Sequence, residues 1–279
     1  MNIEKWRDNI IDPYSIKFNN NLIIKDILSY PYAANDVYKC LGNDCIFYLK
    51  VQRDDKGNIN NESNILKELE KYNFLIPKVL DSGKVDKYDY IVTSELLGLR
   101  LSQIEDFNKS VCLKEYGRML SLIHAIKPNC DKIKIRKIND IPDYEIWKKY
   151  PILKKYIDWL EKNRIEMNYK TFIHGDFQYA NILYKDDKIS GILDWEYSGM
   201  GSKEQDIAWA IVRRQTQNFL RTKKELEIFL KGYKEIGSYN EKDFKWYLVN
   251  SYVHFYIINN EKDKKYSKFV LRKIEELIR

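Results

Sequence analysis

The segment His174-Gly175-Asp176, followed by Asn181 and then Asp194, sets an acid, a carboxamide and a second acid in the order that a metal–phosphate site needs. Phe172 and Ile173 are apolar and lead into the motif, so Asp176 is expected at a strand-to-loop corner, backbone anchored and carboxylate exposed. That is a suitable position for a general base. Asn181 returns to the same side of a short loop and offers a neutral oxygen to a divalent cation, while Ile182 and Leu183 pin the loop to the core. A second strand over 189–193 delivers Asp194 across from Asn181. Such a hairpin suits Mg²⁺, which takes a few protein oxygens and leaves its other positions to water and phosphate.

Other elements must position this hairpin and supply its counter-charges. Residues 47–51, Phe-Tyr-Leu-Lys-Val, alternate as a half-buried strand does, and Lys50 inside it requires an anionic partner; phosphate would serve. In the following helix Glu62, Ile65, Leu66 and Leu69 share one face at helical spacing, so Glu62 points inward, whereas Glu68 and Glu70 fall on other faces. Residues 88–97 read as a strand running into Gly98, an end for a first lobe. Beyond it amphipathic helices are expected over 111–126, 144–162, 226–236, 244–258 and 266–278, with Pro128 ending the first of them. Residues 54–61 form a polar turn. His174 reads as a loop brace whose ring bonds backbone, and His124 and His254 as ordinary helix residues.

His174-Gly-Asp176-x4-Asn181 with Asp194-Trp195-Glu196 resembles the aminoglycoside phosphotransferase and choline kinase group of protein-kinase-like enzymes. The resemblance implies an α+β, bilobal fold: a small antiparallel-sheet lobe with one key helix over 1–97, binding nucleotide and including the hinge, and a larger, mainly helical lobe over 98–279 for catalysis and acceptor binding. It implies that Lys50 holds the α- and β-phosphates of ATP or GTP and that Glu62 orients Lys50. Thr93 would stand in the gatekeeper place, with the Ser94 carbonyl and Leu96 amide bonding the purine. Asn181 and Asp194 would hold Mg²⁺, and Asp206, in Gln-Asp-Ile-Ala-Trp, would brace the catalytic loop. One departure concerns the loop over 29–36, which holds no glycine where the group usually carries small residues or glycine over the phosphates. Ser29, Ala33, Ala34 and Asn35 are small enough to approach a phosphate, but Pro31 removes one amide donor.

The activity implied is transfer of a γ-phosphate to a hydroxyl group. An aminoglycoside or related antibiotic is the first expectation for the acceptor, because the Asp-Trp variant and the chain length resemble that branch; this would be a resistance enzyme. A metabolite kinase for choline, a sugar or an amino alcohol is the alternative, and a non-catalytic kinase-like scaffold has only the glycine-free loop in its support. Acidic and aromatic candidates for the acceptor are Glu196, Tyr197, Glu204 and Trp209, with Asp263 as a further acid for a polycationic drug.

Composition bounds the rest. With 279 residues, 44% of them hydrophobic and 14% aromatic, the chain can bury a sizeable core. Its 48 Lys and Arg against 41 Asp and Glu give a net charge of +7, but the basic residues are mixed with acids, as a solvated surface would be, and no nucleic-acid module is recognisable. No segment approaches the ~18 to 20 apolar residues of a membrane span. The opening Met-Asn-Ile-Glu-Lys-Trp-Arg-Asp lacks the hydrophobic core of a signal peptide. Cys40, Cys45, Cys112 and Cys130 show no Cys-x-x-Cys spacing, so a reduced cytoplasm is expected. The expected partners are a nucleoside triphosphate and a small hydroxylated substrate, without nucleic acid, membrane or an obligate protein partner.

Overall fold

A computed structural model describes residues 10–31, 33–43, 45–53, 57–105, 107–129, 133–136, 140–215 and 217–279. The leading segment, Tyr32 of the glycine-free loop, residues 54–56 of the polar turn and Cys130 lie outside them. In chain order the elements begin β1 (Asp26–Ser29), β2 (Asp36–Leu41), β3 (Ile46–Val51), α1 (Ile59–Leu69), β4 (Val79–Val85) and β5 (Tyr88–Ser94). There follow α2 (Lys109–Ala125), α3 (Tyr144–Lys149), α4 (Lys154–Lys162), β6 (Thr171–Ile173), β7 (Ile182–Lys185) and β8 (Lys188–Ile192). The chain closes with β9 (Gly199–Gly201), α5 (Lys203–Ile211), α6 (Lys223–Lys234), α7 (Glu241–Asn259) and α8 (Lys264–Ile278).

Two compact units result. The first comprises Met1–Ile104, Pro128–Ile133 and Ala180–Ser198, the second Glu105–Lys127, Lys134–Tyr179 and Gly199–Arg279. This division differs from one at 97/98, because the hairpin β7–β8 bonds to first-unit backbone. Leu99 and Tyr184 exchange amide hydrogen bonds at 2.9 and 2.8 Å, and Ile192 N–H donates to Leu75 O at 2.8 Å.

The first unit is built on a five-stranded antiparallel sheet in the order β1-β2-β3-β5-β4. Alternation in β3 divides its side chains cleanly. Phe47, Leu49 and Val51 are fully buried, each stabilising by about 1.5–3 kcal/mol, while Tyr48 and Lys50 take the other face. Helix α1 packs on β4 and β5 and buries Ile65, Leu66 and Leu69 together with Glu62, the face that its spacing predicts. The β7–β8 hairpin turns through Asp186 and Asp187 at φ 51° and 58°, the left-handed pair that matches the twist of a two-residue turn.

The second unit is mostly helical. Gly117 in α2 and Gly232 in α6 let these helices approach backbone to backbone: a Cβ on Gly117 would fall 1.9 Å from Phe229 O, and one on Gly232 1.9 Å from Lys114 O. The span expected to be one helix over 144–162 is broken into α3 and α4 at Pro151, whose ring cannot continue a helix. Helices α5 and α8 pack against α7, whose Trp246, Val249 and Val253 are buried. Among the described residues, no helix is long and apolar enough to cross a membrane.

Candidate active site

In the first unit three carboxylates converge on one ammonium. Lys50 Nζ lies 2.9 Å from Glu62 Oε2, 2.7 Å from Asp194 Oδ1 and 3.1 Å from Glu196 Oε2. Burial works against the charge on Lys50, yet the three carboxylates hold its pKa well above the ordinary 10.5. Burial likewise pushes the Glu62 carboxyl up from 4.5, with Lys50 pulling the other way. One cation facing three acids leaves a formal surplus of negative charge in a half-buried place. Such a surplus calls for a further cation.

Local structure explains the convergence. Glu62 reaches Lys50 because α1 lays it on the inward face, and its second oxygen accepts the Trp195 amide at 3.2 Å. Trp195, fully buried, returns its indole N–H to Ile192 O at 3.0 Å, fixing the turn after β8. Within that turn Asp194 adopts φ 65°, a left-handed conformation that Asp tolerates better than most residues and that swings its carboxylate toward Lys50. Leu193 N–H donates to Asn181 O at 2.8 Å, so Asn181 and Asp194 stand at the two ends of one hairpin.

The donor set fits Mg²⁺. Oxygens of Glu62, Asp194 and Glu196 lie within 4.8 Å of one another, and carboxylate and carboxamide oxygens are the hard ligands this ion prefers.

Thr93 sits in β5 opposite Tyr48 and Val79, and Ser94 is bonded to Lys78 through both its N–H and its hydroxyl, each at 2.9 Å. Leu96 is half-buried and its side chain covers Gly191. Of the small residues before β2, Ala34 is exposed and Ala33 half-buried. Asn35, read from sequence as a residue small enough to approach phosphate, is instead buried, its carboxamide turned onto Glu196.

In the second unit β6 carries Phe172 and Ile173 into the core and is followed by His174, which is fully buried. Gly175 follows at φ 80°, a conformation that L side chains adopt only with strain. Asp206 accepts the His174 and Gly175 amides at 2.8 and 3.0 Å, and His174 Nδ1 in turn accepts the Asp176 amide at 3.3 Å. Three successive backbone donors are thereby fixed. The Asp176 carboxylate is half-buried rather than fully exposed. It accepts from Gln178 Nε2 at 3.0 and 2.9 Å and from Trp209 Nε1 at 2.6 Å.

Several acceptor candidates stand elsewhere. Glu196 belongs to the Lys50 cluster of the first unit, and Tyr197 is half-buried next to it in sequence. Glu204 is buried and accepts from Ser202 Oγ at 2.9 Å and the Asn240 amide at 3.0 Å, so it joins the starts of α5 and α7. Asp263 caps α8 through the Lys265 and Tyr266 amides. Trp209 touches Asp176 directly, with the Arg214 guanidinium 5.1 Å from its ring centroid and 5.7 Å from that of Phe255.

Sequence reasoning missed four participants. Gln178 lay inside the motif as an unassigned position, although an amide two residues from an acid is within reach of it. Asn61 bonds the carbonyls of Glu196 and Ser198 at 3.0 Å each, and no pattern marks it. His124 is no ordinary helix residue: its Nε2 lies 3.2 Å from Asp206 Oδ2 and its Nδ1 2.7 Å from the Tyr233 hydroxyl. Arg214 carried no signal beyond its charge.

Residues 32–239 match the model of the phosphotransferase enzyme family (APH), and the chain belongs to that family. It is 28% identical over 197 residues to an aminoglycoside 3'-phosphotransferase of Enterococcus faecalis, covering 63% of this chain and 74% of the relative. Among solved structures, a thermostable mutant of aminoglycoside phosphotransferase APH(4)-Ia in ternary complex with AMP-PNP and hygromycin B superposes with a TM-score of 0.69 at 13% identity, over 92% of this chain and 94% of that one. A spectinomycin phosphotransferase in complex with ADP and spectinomycin gives 0.62 at 14% identity, over 90% and 91%. Both share the kinase-like fold with this phosphotransferase.

Proposed function

We propose that this enzyme moves the γ-phosphate of ATP or GTP to a hydroxyl group of a small molecule. The observation that carries the reading is Lys50 held between Glu62 and Asp194, an ammonium kept charged and aimed by acids that a phosphate chain can partly replace. Asn181 and Asp194 would hold Mg²⁺, which when bound neutralises phosphate charge. Lys50 steadies the α- and β-phosphates. Ser94 and Leu96 offer backbone to the purine. Asp176 takes the proton of the acceptor hydroxyl, or orients it, as the oxygen attacks the γ-phosphorus in line and the bond to the departing nucleoside diphosphate breaks. Gln178 and Trp209 hold that carboxylate still, and Asp206 holds the loop that bears it. Positioning and charge neutralisation supply most of the acceleration.

Similarity to the Enterococcus faecalis enzyme supports an aminoglycoside or related antibiotic as the acceptor. A metabolite kinase for choline, a sugar or an amino alcohol is the second reading, and one observation favours it: Glu196, Glu204 and Asp263, the acids expected to receive a polycationic drug, are engaged in other contacts.

Transfer from γ-labelled ATP and GTP to a panel of aminoglycosides, other hydroxylated antibiotics, choline and sugars tests the proposal. Label on an antibiotic supports the first reading and label on choline or a sugar the second. No labelled product from any acceptor class would overturn both.

A further inference from the structure

The loop before β2 lacks glycine, yet its side chains tie it down. Asp36, fully buried, accepts from the Tyr30 hydroxyl and from Arg53 Nη1 at 3.1 and 3.2 Å. Next to it Asn35, 4% exposed, donates through Nδ2 to Glu196 Oε2 at 3.0 Å, the oxygen that also lies 3.1 Å from Lys50 Nζ. A Cβ on Gly57 would fall 3.1 Å from Asn35 Oδ1, so the carboxamide is enclosed on its other side as well. Glu196 is fastened in turn by Asn61, which binds its carbonyl.

A buried carboxamide donating to a carboxylate makes a charge-assisted, directional bond, stronger than a neutral one and strengthened further by low local polarity. A glycine-rich loop gains close approach to phosphates at the expense of conformational freedom. Here the same stretch is fixed in advance by side chains.

We propose that Asn35 is a positioning residue for the nucleotide, holding the 33–36 backbone against Glu196, and that Glu196 thereby couples this loop to Lys50. The inference rests on the reading of the first unit as the nucleotide-holding half. Asn35 acts through Glu196, and the charge on Glu196 is what gives the tie its strength. Loss of the carboxamide frees the loop and shortens the residence of the nucleotide. Loss of the charge alone leaves the carboxamide with a weaker acceptor.

The test is stopped-flow release of methylanthraniloyl-ADP with Mg²⁺ from the full chain, as wild type, Asn35→Ala, Glu196→Gln and the double variant. Asn35→Ala is expected to speed release about tenfold in the wild-type background and less than about threefold when Glu196 is already Gln. Equal effects in both backgrounds, or no acceleration, would overturn the proposal. Absence of binding by the wild type would overturn the nucleotide reading itself. Amide exchange in the ligand-free protein supplies a second readout. Faster exchange confined to 33–36 supports the tie, and a rise that extends over α7 shows general loosening and overturns it.

Discussion

Trp209 donates its indole N–H to the Asp176 carboxylate across 2.6 Å, so the residue read as the base is held by an aromatic side chain thirty-odd positions later in the chain. The same ring carries the Arg214 guanidinium on its face, and Phe255 packs against it with ring centroids 5.5 Å apart. Asp176 is therefore aimed by a packed cluster, not merely by its own loop.

Replacing Trp209 by Phe keeps the ring and removes the donor. A hydrogen bond to a charged group contributes about 1.5–3 kcal/mol, so kcat should fall about ten- to hundredfold. The KM for nucleotide should stay unchanged, because Lys50, Asn181 and Asp194 are untouched. Steady-state kinetics with nucleotide and acceptor varied separately checks this split; a rise in nucleotide KM at constant kcat would place Trp209 in a different role.

Much of this arrangement was legible before the structure. Alternation in β3 set Lys50 opposite the core face, and helical spacing turned Glu62 inward, because both follow from local periodicity. The motif from His174 to Asp194 was legible because its residues are close in sequence and chemically unusual. What stayed hidden depends on contacts far apart in the chain. Asn35 meets Glu196 across 161 positions and Asn61 meets Glu196 across 135, and a carboxamide gives no periodic signal. Glu196, Glu204 and Asp263 looked available for an acceptor because an acid's partners cannot be read from its type. The break at Pro151 has a signal in the proline itself, but the amphipathic pattern on either side of it reads as one helix.

Helices α2 and α6 should not tolerate a methyl group between them. Gly232→Ala places a Cβ against the Lys114 carbonyl, and overpacking backbone against backbone should cost about 2–3 kcal/mol, lowering the melting temperature by about 3–5 °C. Lys224→Ala, at an exposed position on the same helix, should stay within about 0.5 kcal/mol. Calorimetry on the pair checks the contrast.

Glu225 links acidity to stability. Burial pushes its carboxyl up, but the Arg221 and Thr222 amides and Lys109 outweigh that and hold it below the ordinary 4.5. A depressed folded-state value means that the stabilisation is present above 4.5 and is lost as pH falls through the lowered value. Glu225→Gln should therefore cost about 1 kcal/mol at pH 7, with the difference from wild type shrinking as the pH drops below 4.5. Urea melts across that range check the sign, and a gap that widens in acid would contradict it.

The Asp176 carboxylate should drive phosphate transfer while the Lys50 cluster holds the nucleotide. Single-turnover transfer of labelled γ-phosphate by wild type and Asp176→Asn, with nucleotide affinity measured on the same samples, tests it most directly. Asp176→Asn should lose about a hundred- to ten-thousandfold in rate, with the nucleotide Kd unchanged within about twofold. Transfer by Asp176→Asn at close to the wild-type rate would contradict it.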